Sequence, residues 1–266
     1  MGTGEAEDRL GGTGVGAAGA RNIRLVLAYD GTPFLGWQVQ PQGPTIQSVL
    51  EEAISRITGH ETKVKGSGRT DAGVHAISQV ANFHTASRMA PEAFVPALNS
   101  LLPPEIAVLA ADEVEPSFDA QFSAVEKTYR YRIFNSRIKS PFEHRLSWHV
   151  PAELDVESMR TSAMQLIGKI DFSSFRASGC VSSSPIRTLK DIAVAREDAI
   201  ITFELTADGF LRHMVRNIVG TLVEVGRGRF TVEDVATILA ARDRTRAGVA
   251  APPHGLYLLR VSYTPA

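Results

Sequence analysis

The sequence predicts an α+β fold made of two related halves that meet near residue 125. Three observations lead there. Short segments rich in branched and aromatic residues alternate with segments whose apolar residues recur at helical spacing. These two kinds of segment follow one another in a similar order on either side of residue 125, without any short sequence repeat. At 266 residues with 44% hydrophobic content, the chain is also long enough to bury two such cores.

Residues 1–22 are dominated by glycine and alanine without periodicity, which predicts a disordered tail. Gly14, Gly16 and Gly19 in that tail have the spacing of a dinucleotide fingerprint. No strand precedes them and no helix follows, so a linker is the better reading. The half spanning 23–125 opens with Ile23 to Tyr29, a strand by its β-branched content. Thr45 is placed to cap a helix whose apolar face is Ile46, Val49, Leu50, Ala53, Ile54 and Ile57, with Gly59 as its stop. Short strands are predicted over Lys63–Gly68 and Gln79–His84, a helix over Pro91–Leu101, and a strand over Ile106–Val114. The half spanning 126–266 opens with the alternating strand Lys127–Phe134, which puts Tyr129, Tyr131 and Ile133 on one face. A helix over Val156–Ile167 follows, then strands over Ile186–Ala195 and Ala199–Thr206. Helices over Phe210–Val225 and Val232–Ala240 and a strand over Leu256–Tyr263 complete it.

Composition narrows the function classes. The formal net charge is −1, so any nucleic-acid surface must gather its cations on one face. Residues 121–150 do so locally, with Lys127, Arg130, Arg132, Arg137, Lys139 and Arg145 against Glu126 and Glu143. A solvated strand face accounts for the same cluster. Cys180 is the only cysteine, which excludes an intrachain disulfide and a cysteine metal site and fits a reducing, cytoplasmic setting. No apolar run is long enough to span a bilayer and no secretory leader is visible.

Three stretches carry candidate chemistry. In Gly66–Ala76, GSGRTDAGVHA, three glycines frame Arg69, Thr70 and Asp71. If the backbone is extended there, Arg69 and Asp71 point to one side, and the guanidinium favours an ionised carboxylate. Such a carboxylate on a glycine-framed loop is a nucleophile or base. A structural turn with Asp71 as a cap and Arg69 in a surface ion pair is the ordinary alternative. In Tyr29–Gln38, YDGTPFLGWQ, the aromatics either stack on bases or fill a buried turn. In Phe210–Gly226 an apolar stripe leaves Arg212, His213, Arg216 and Asn217 off the stripe. The arginines suit phosphate, and a solvated helix face explains them as well.

Taken in order, YDGTPFLGWQ, GRTDAGVHA, LNSLLP, FSAVEKTYRYRIFN and FLRHMVRNIVG resemble the tRNA pseudouridine synthase A family over about Ile23 to Tyr263. The resemblance implies two ferredoxin-like, RNA-binding-like halves with antiparallel sheets flanked by helices. It implies isomerisation of uridine to pseudouridine at positions 38 to 40 of the tRNA anticodon stem-loop, by a homodimer that needs neither metal nor organic cofactor. Asp71 then matches the catalytic aspartate. Arg69 matches the arginine that pairs with it and helps displace the base. Tyr129 matches the tyrosine that packs on the target base, and Arg216 the arginine near the carboxylate. Leu256 falls in the apolar wall of the pocket and Lys127 is read as a substrate contact, while Arg212 is read as an RNA contact compensating for a cation lost elsewhere. Two departures stand out. Gln121 replaces a cation of the family, and Arg212 stands where an aromatic residue or histidine is usual. A non-catalytic RNA-binding protein is the first rival reading. A phosphate-handling enzyme is the second, but it would need a lysine after the glycines or an acidic cluster, and Gly66–Gly73 has neither.

Overall fold

The fold is taken from a computed structural model, which describes residues 20–180 and 182–264. Most of the expected tail, including Gly14, Gly16 and Gly19, lies outside the described residues. Its last two positions do not belong to a tail. β1 runs from Arg21 to Tyr29, because Arg21 pairs with Glu113 at 2.7 Å and Asn22 is buried, donating to the Glu115 and Phe118 carbonyls.

The first half continues with α1 (Ile46–Thr58), β2 (Val64–Gly66), β3 (His75–Thr85), α2 (Phe94–Asn99) and β4 (Ile106–Val114). α1 is set by its ends. The Thr45 hydroxyl accepts from Ser48 N–H while the Ser48 hydroxyl accepts from Thr45 N–H, each at 3.1 Å. Gly59 closes it in the left-handed region at φ 79°, returning its N–H to the Ser55 carbonyl. The strand expected at Gln79 begins four residues earlier, at His75, because the turn before it delivers the chain straight into the sheet.

The second half comprises β5 (Ala124–Asn135), β6 (Trp148–Val150), α3 (Val156–Met164), β7 (Gly168–Asp171), β8 (Ile186–Glu197), β9 (Ile200–Ala207), α4 (Met214–Gly226), α5 (Val232–Ala241) and β10 (Leu256–Tyr263). On β5, Tyr129, Tyr131 and Ile133 are buried as the alternation predicts. On its other face Arg130 pairs with Glu204 at 2.6 Å and Arg132 with Glu143 at 3.2 Å. Two of the six cations of residues 121–150 are therefore neutralised within the protein.

One sheet holds all ten strands, in the order β4-β1-β3-β10-β5-β9-β8-β7, with β2 on β3 and β6 on β5. Among the described residues every pairing is antiparallel except β5 with β6 and β3 with β10. The latter joins the two halves through two residue pairs, Tyr257 with His75 and Leu258 with Ala76.

The helix expected from Phe210 starts four residues late. His213 adopts φ 61°, and the Arg212 carbonyl accepts from Ala177 N–H instead of from the helix. Arg212 and Arg216 are consequently not one turn apart on a solvated face. Asn217 is buried and donates to the Phe175 carbonyl at 2.8 Å. α4 is enclosed on nearly all sides, and the 248–251 segment lies directly on its backbone. A Cβ at Gly220 would stand 1.7 Å from the Val249 carbonyl oxygen. Gly220→Ala should destabilise the fold by about 3 kcal/mol and lower Tm by roughly 10 °C in calorimetry. An unchanged Tm would show that this segment does not lie there.

Candidate active site

The loop leading from β2 to β3 is pinned from below. Ser67 and Gln79 share a buried hydrogen bond at 2.6 Å, and Gln79 donates to the Gly68 carbonyl at 3.0 Å. The Thr70 hydroxyl meets the Tyr29 hydroxyl at 2.9 Å, and Trp37 N–H donates to the Thr70 carbonyl. A turn closes from Val74 N–H to the Asp71 carbonyl at 3.1 Å, with Gly73 at φ 76°. Gly31 lies under this turn, where a Cβ would stand 2.0 Å from the Val74 carbonyl oxygen. Residues 67, 70 and 74 thus face the core, and Arg69 and Asp71 are left on the open side.

Asp71 keeps 36% of its side chain accessible. Its Oδ2 lies 3.3 Å from Arg216 Nη1 and 3.2 Å from His213 Nε2. Among the described residues no hydrogen bond reaches Oδ1. Arg216 is held in the first turn of α4. Its Nε donates to the Ala251 carbonyl at 2.7 Å, and Ala251 N–H donates back to the Arg216 carbonyl at 3.0 Å. The left-handed backbone of His213 aims the imidazole at the carboxylate. Burial holds the His213 pKa below its ordinary value, and Arg216, Arg212 and Arg244 add to that push against the pull of Asp71. A neutral imidazole beside Asp71 brings no charge, so Arg216 supplies the countercharge.

Tyr129 projects from β5, 9% exposed, with its ring edge-on to Phe210 at 5.0 Å between centroids. Burial, reinforced by Tyr29 and Asp71, pushes its phenol well above the ordinary range, so it stays protonated. Leu256 is buried at the start of β10 opposite Tyr131, one alternation along the strand pair from Leu258 opposite Tyr129.

Other expectations need correction. Arg69 does not pair with Asp71: it is exposed, and among the described residues it makes no ion pair or side-chain hydrogen bond. Residues 69–71 lie between the bend at Ser67–Gly68 and the turn after Asp71, and burial alternates through them, so Arg69 and Asp71 share a side as expected without pairing. Lys127 is not a surface contact either. Its ammonium donates to the Ser67 carbonyl, and burial lowers its pKa. Arg212 is exposed and reaches only the Ser178 carbonyl, at 3.5 Å. Tyr29, Phe34 and Trp37 are 4%, 6% and 3% exposed, which decides for a buried turn over base stacking. Phe210 and His213 went unassigned in the sequence, although both stand in the FLRHMVRN stretch.

Among the described residues no group of three or more His, Cys, Asp or Glu could hold a metal ion, and no helix is long and apolar enough to cross a membrane. The arrangement offers a carboxylate with one uncommitted oxygen, a fixed guanidinium, a neutral imidazole and a buried aromatic wall. That set can attack an electrophilic carbon or take a proton.

The family model described as tRNA pseudouridine synthase matches residues 25–123 and 162–264. The chain is 46% identical over 243 residues to the tRNA pseudouridine synthase A of Thermoanaerobacter sp. (strain X514), covering 91% of this chain and all of that one. It is 47% identical to that of Myxococcus xanthus, covering 91% of each. With the protein of that name from Azorhizobium caulinodans it shares 46%, over 90% of this chain and 93% of the other.

Proposed function

Since the chain belongs to the tRNA pseudouridine synthase family and isomerises uridine in tRNA, we propose that Asp71 is the carboxylate that does so. The observation that carries this reading is the position of Asp71, on the open side of its loop with one oxygen committed to Arg216 and His213 and the other uncommitted.

The reaction breaks the bond between uracil N1 and ribose C1′ and makes one from C5 to C1′. C5 loses its hydrogen to water and N1 gains one, so no electrons enter or leave. The target base must first leave its stack, at a cost of a few kcal/mol. Arg69, exposed at the mouth of the loop, is placed to fill the space vacated. Tyr129, backed edge-on by Phe210, and Leu256 form the apolar wall against the extruded uracil. Asp71 then acts at C1′, at C6 or on the 2′ hydrogen. Any of these three routes uses its charge, which Arg216 holds in place. Arg212 serves as an RNA contact at the rim.

The substrate positions in this reading are uridines 38 to 40 of the anticodon stem-loop, and the working form is a cytoplasmic homodimer with each tRNA touching both subunits. Residues 23–125 and 126–266 are read as two copies of one ferredoxin-like plan. Their strand orders, β4-β1-β3-β2 and β10-β5-β9-β8, support this.

The test is release of tritium to water from tRNA labelled at uracil C5. The protein alone, with chelator present, should release label in proportion to the pseudouridine formed. Binding of tRNA without release would overturn the reading.

A further inference from the structure

Between β5 and β6, residues 136–147 leave Ile138 78% and Phe142 86% exposed. Arg137, Lys139 and Arg145 are exposed in the same loop, and among the described residues none makes an ion pair. Its one acid, Glu143, is already committed to Arg132 at 3.2 Å. The loop is nevertheless held in shape. Phe142 N–H donates to the Ser140 hydroxyl at 3.2 Å, His144 Nδ1 meets the Pro141 carbonyl at 2.7 Å, and the Ser147 hydroxyl donates to the Glu143 carbonyl at 3.1 Å.

The root of the loop is fastened beside the active site. The Arg145 carbonyl lies 3.0 Å from His75 Nε2, and the Leu146 carbonyl accepts from the Tyr257 hydroxyl at 2.7 Å. His75 is the first residue of β3, four past Asp71, and its ring stacks on Tyr257 at 4.7 Å. Whatever the loop grips is therefore held near the reacting nucleotide.

We propose that this loop binds single-stranded RNA, with Phe142 stacking on an unpaired base and Arg137, Lys139 and Arg145 taking the flanking phosphates. The proposal rests on the tRNA reading above. An aromatic ring presented to water among unpaired cations matches the two features of a single strand, a bare base face and a charged backbone. Paired RNA offers no open base face for the ring. A protein surface would have to bring acids to meet three cations that this fold leaves without an ion pair.

The experiment uses the full chain and tRNA, with affinity measured across salt concentrations. Phe142→Ala should weaken binding roughly 5- to 100-fold with an unchanged salt slope, Phe142→Trp should restore it, and Phe142→Leu should not. Arg137→Gln with Lys139→Gln should reduce the slope of log K against log salt by about 1.4. Wild-type affinity in Phe142→Ala, or an unchanged slope in the double variant, overturns the proposal. So does a change in sedimentation of Phe142→Ala without loss of RNA affinity, which would mean that the loop covers a second copy. Tritium release by the wild-type protein separates the two failures. If wild type releases label while Phe142→Ala binds normally, only the loop proposal falls.

Discussion

Asp71→Asn should bind tRNA within a few-fold of wild type and release tritium at least about a thousand-fold more slowly. The substitution preserves shape. An asparagine oxygen can still accept from Arg216 Nη1, which now meets Oδ2 at 3.3 Å, and keep its place beside His213, so the loop should not move. What disappears is the negative charge, and with it the ability to attack carbon or accept a proton at neutral pH. Single-turnover release with excess protein isolates the chemical step from binding and product release. A wild-type single-turnover rate would remove Asp71 from the reaction.

Arg216→Gln should lower the single-turnover rate by about 10²- to 10³-fold, and Arg216→Lys should restore little of it. The guanidinium does two things with two edges. It donates from Nε to the Ala251 carbonyl and from Nη1 to Asp71. A lysine ammonium on a flexible stem has no matching fork. Removing the cation also removes one of the influences holding the His213 pKa down, so that pKa should rise in Arg216→Gln. It should fall further in Asp71→Asn, where the opposing pull is lost. Proton NMR titration of the His213 ring reads both shifts, and movement in the opposite sense would contradict the geometry. The sign carries over to stability. Folding depresses this pKa, so the unfolded chain takes up the proton first as pH falls below the ordinary histidine value. The contribution of His213 to stability is present above that value and is lost on the acid side.

Local chemistry made several elements legible from the residues alone. Thr45 and Gly59 mark the two ends of α1, and alternation along β5 identifies its buried face. The short strands β6 and β7 escaped, since three or four residues carry too little period to read. The start of α4 escaped for a different reason. The Arg212 carbonyl is drawn off by Ala177, some 35 residues earlier, and no helical pattern records such a competitor. The partners of Asp71 show the same division. Arg69, two residues away, looked like its natural countercharge. Arg216, 145 residues away, is the partner that folding delivers, and it was reachable only through resemblance to a known family. Lys127 misled in the opposite direction, because a cation read as available had its ammonium turned inward to Ser67.

The narrow join between β3 and β10 has a bearing on how this protein would lose its activity. The acid belongs to one part of the chain and its countercharge to the other, and the strand pairing between them is only two residue pairs long, reinforced by side-chain contacts such as the His75–Tyr257 stack and the Lys127 bond to the Ser67 carbonyl. Neither half can own the reaction. A substitution that loosens this pairing and shifts Asp71 from Arg216 by an ångström should be noticed first as slow turnover in a protein that otherwise melts normally.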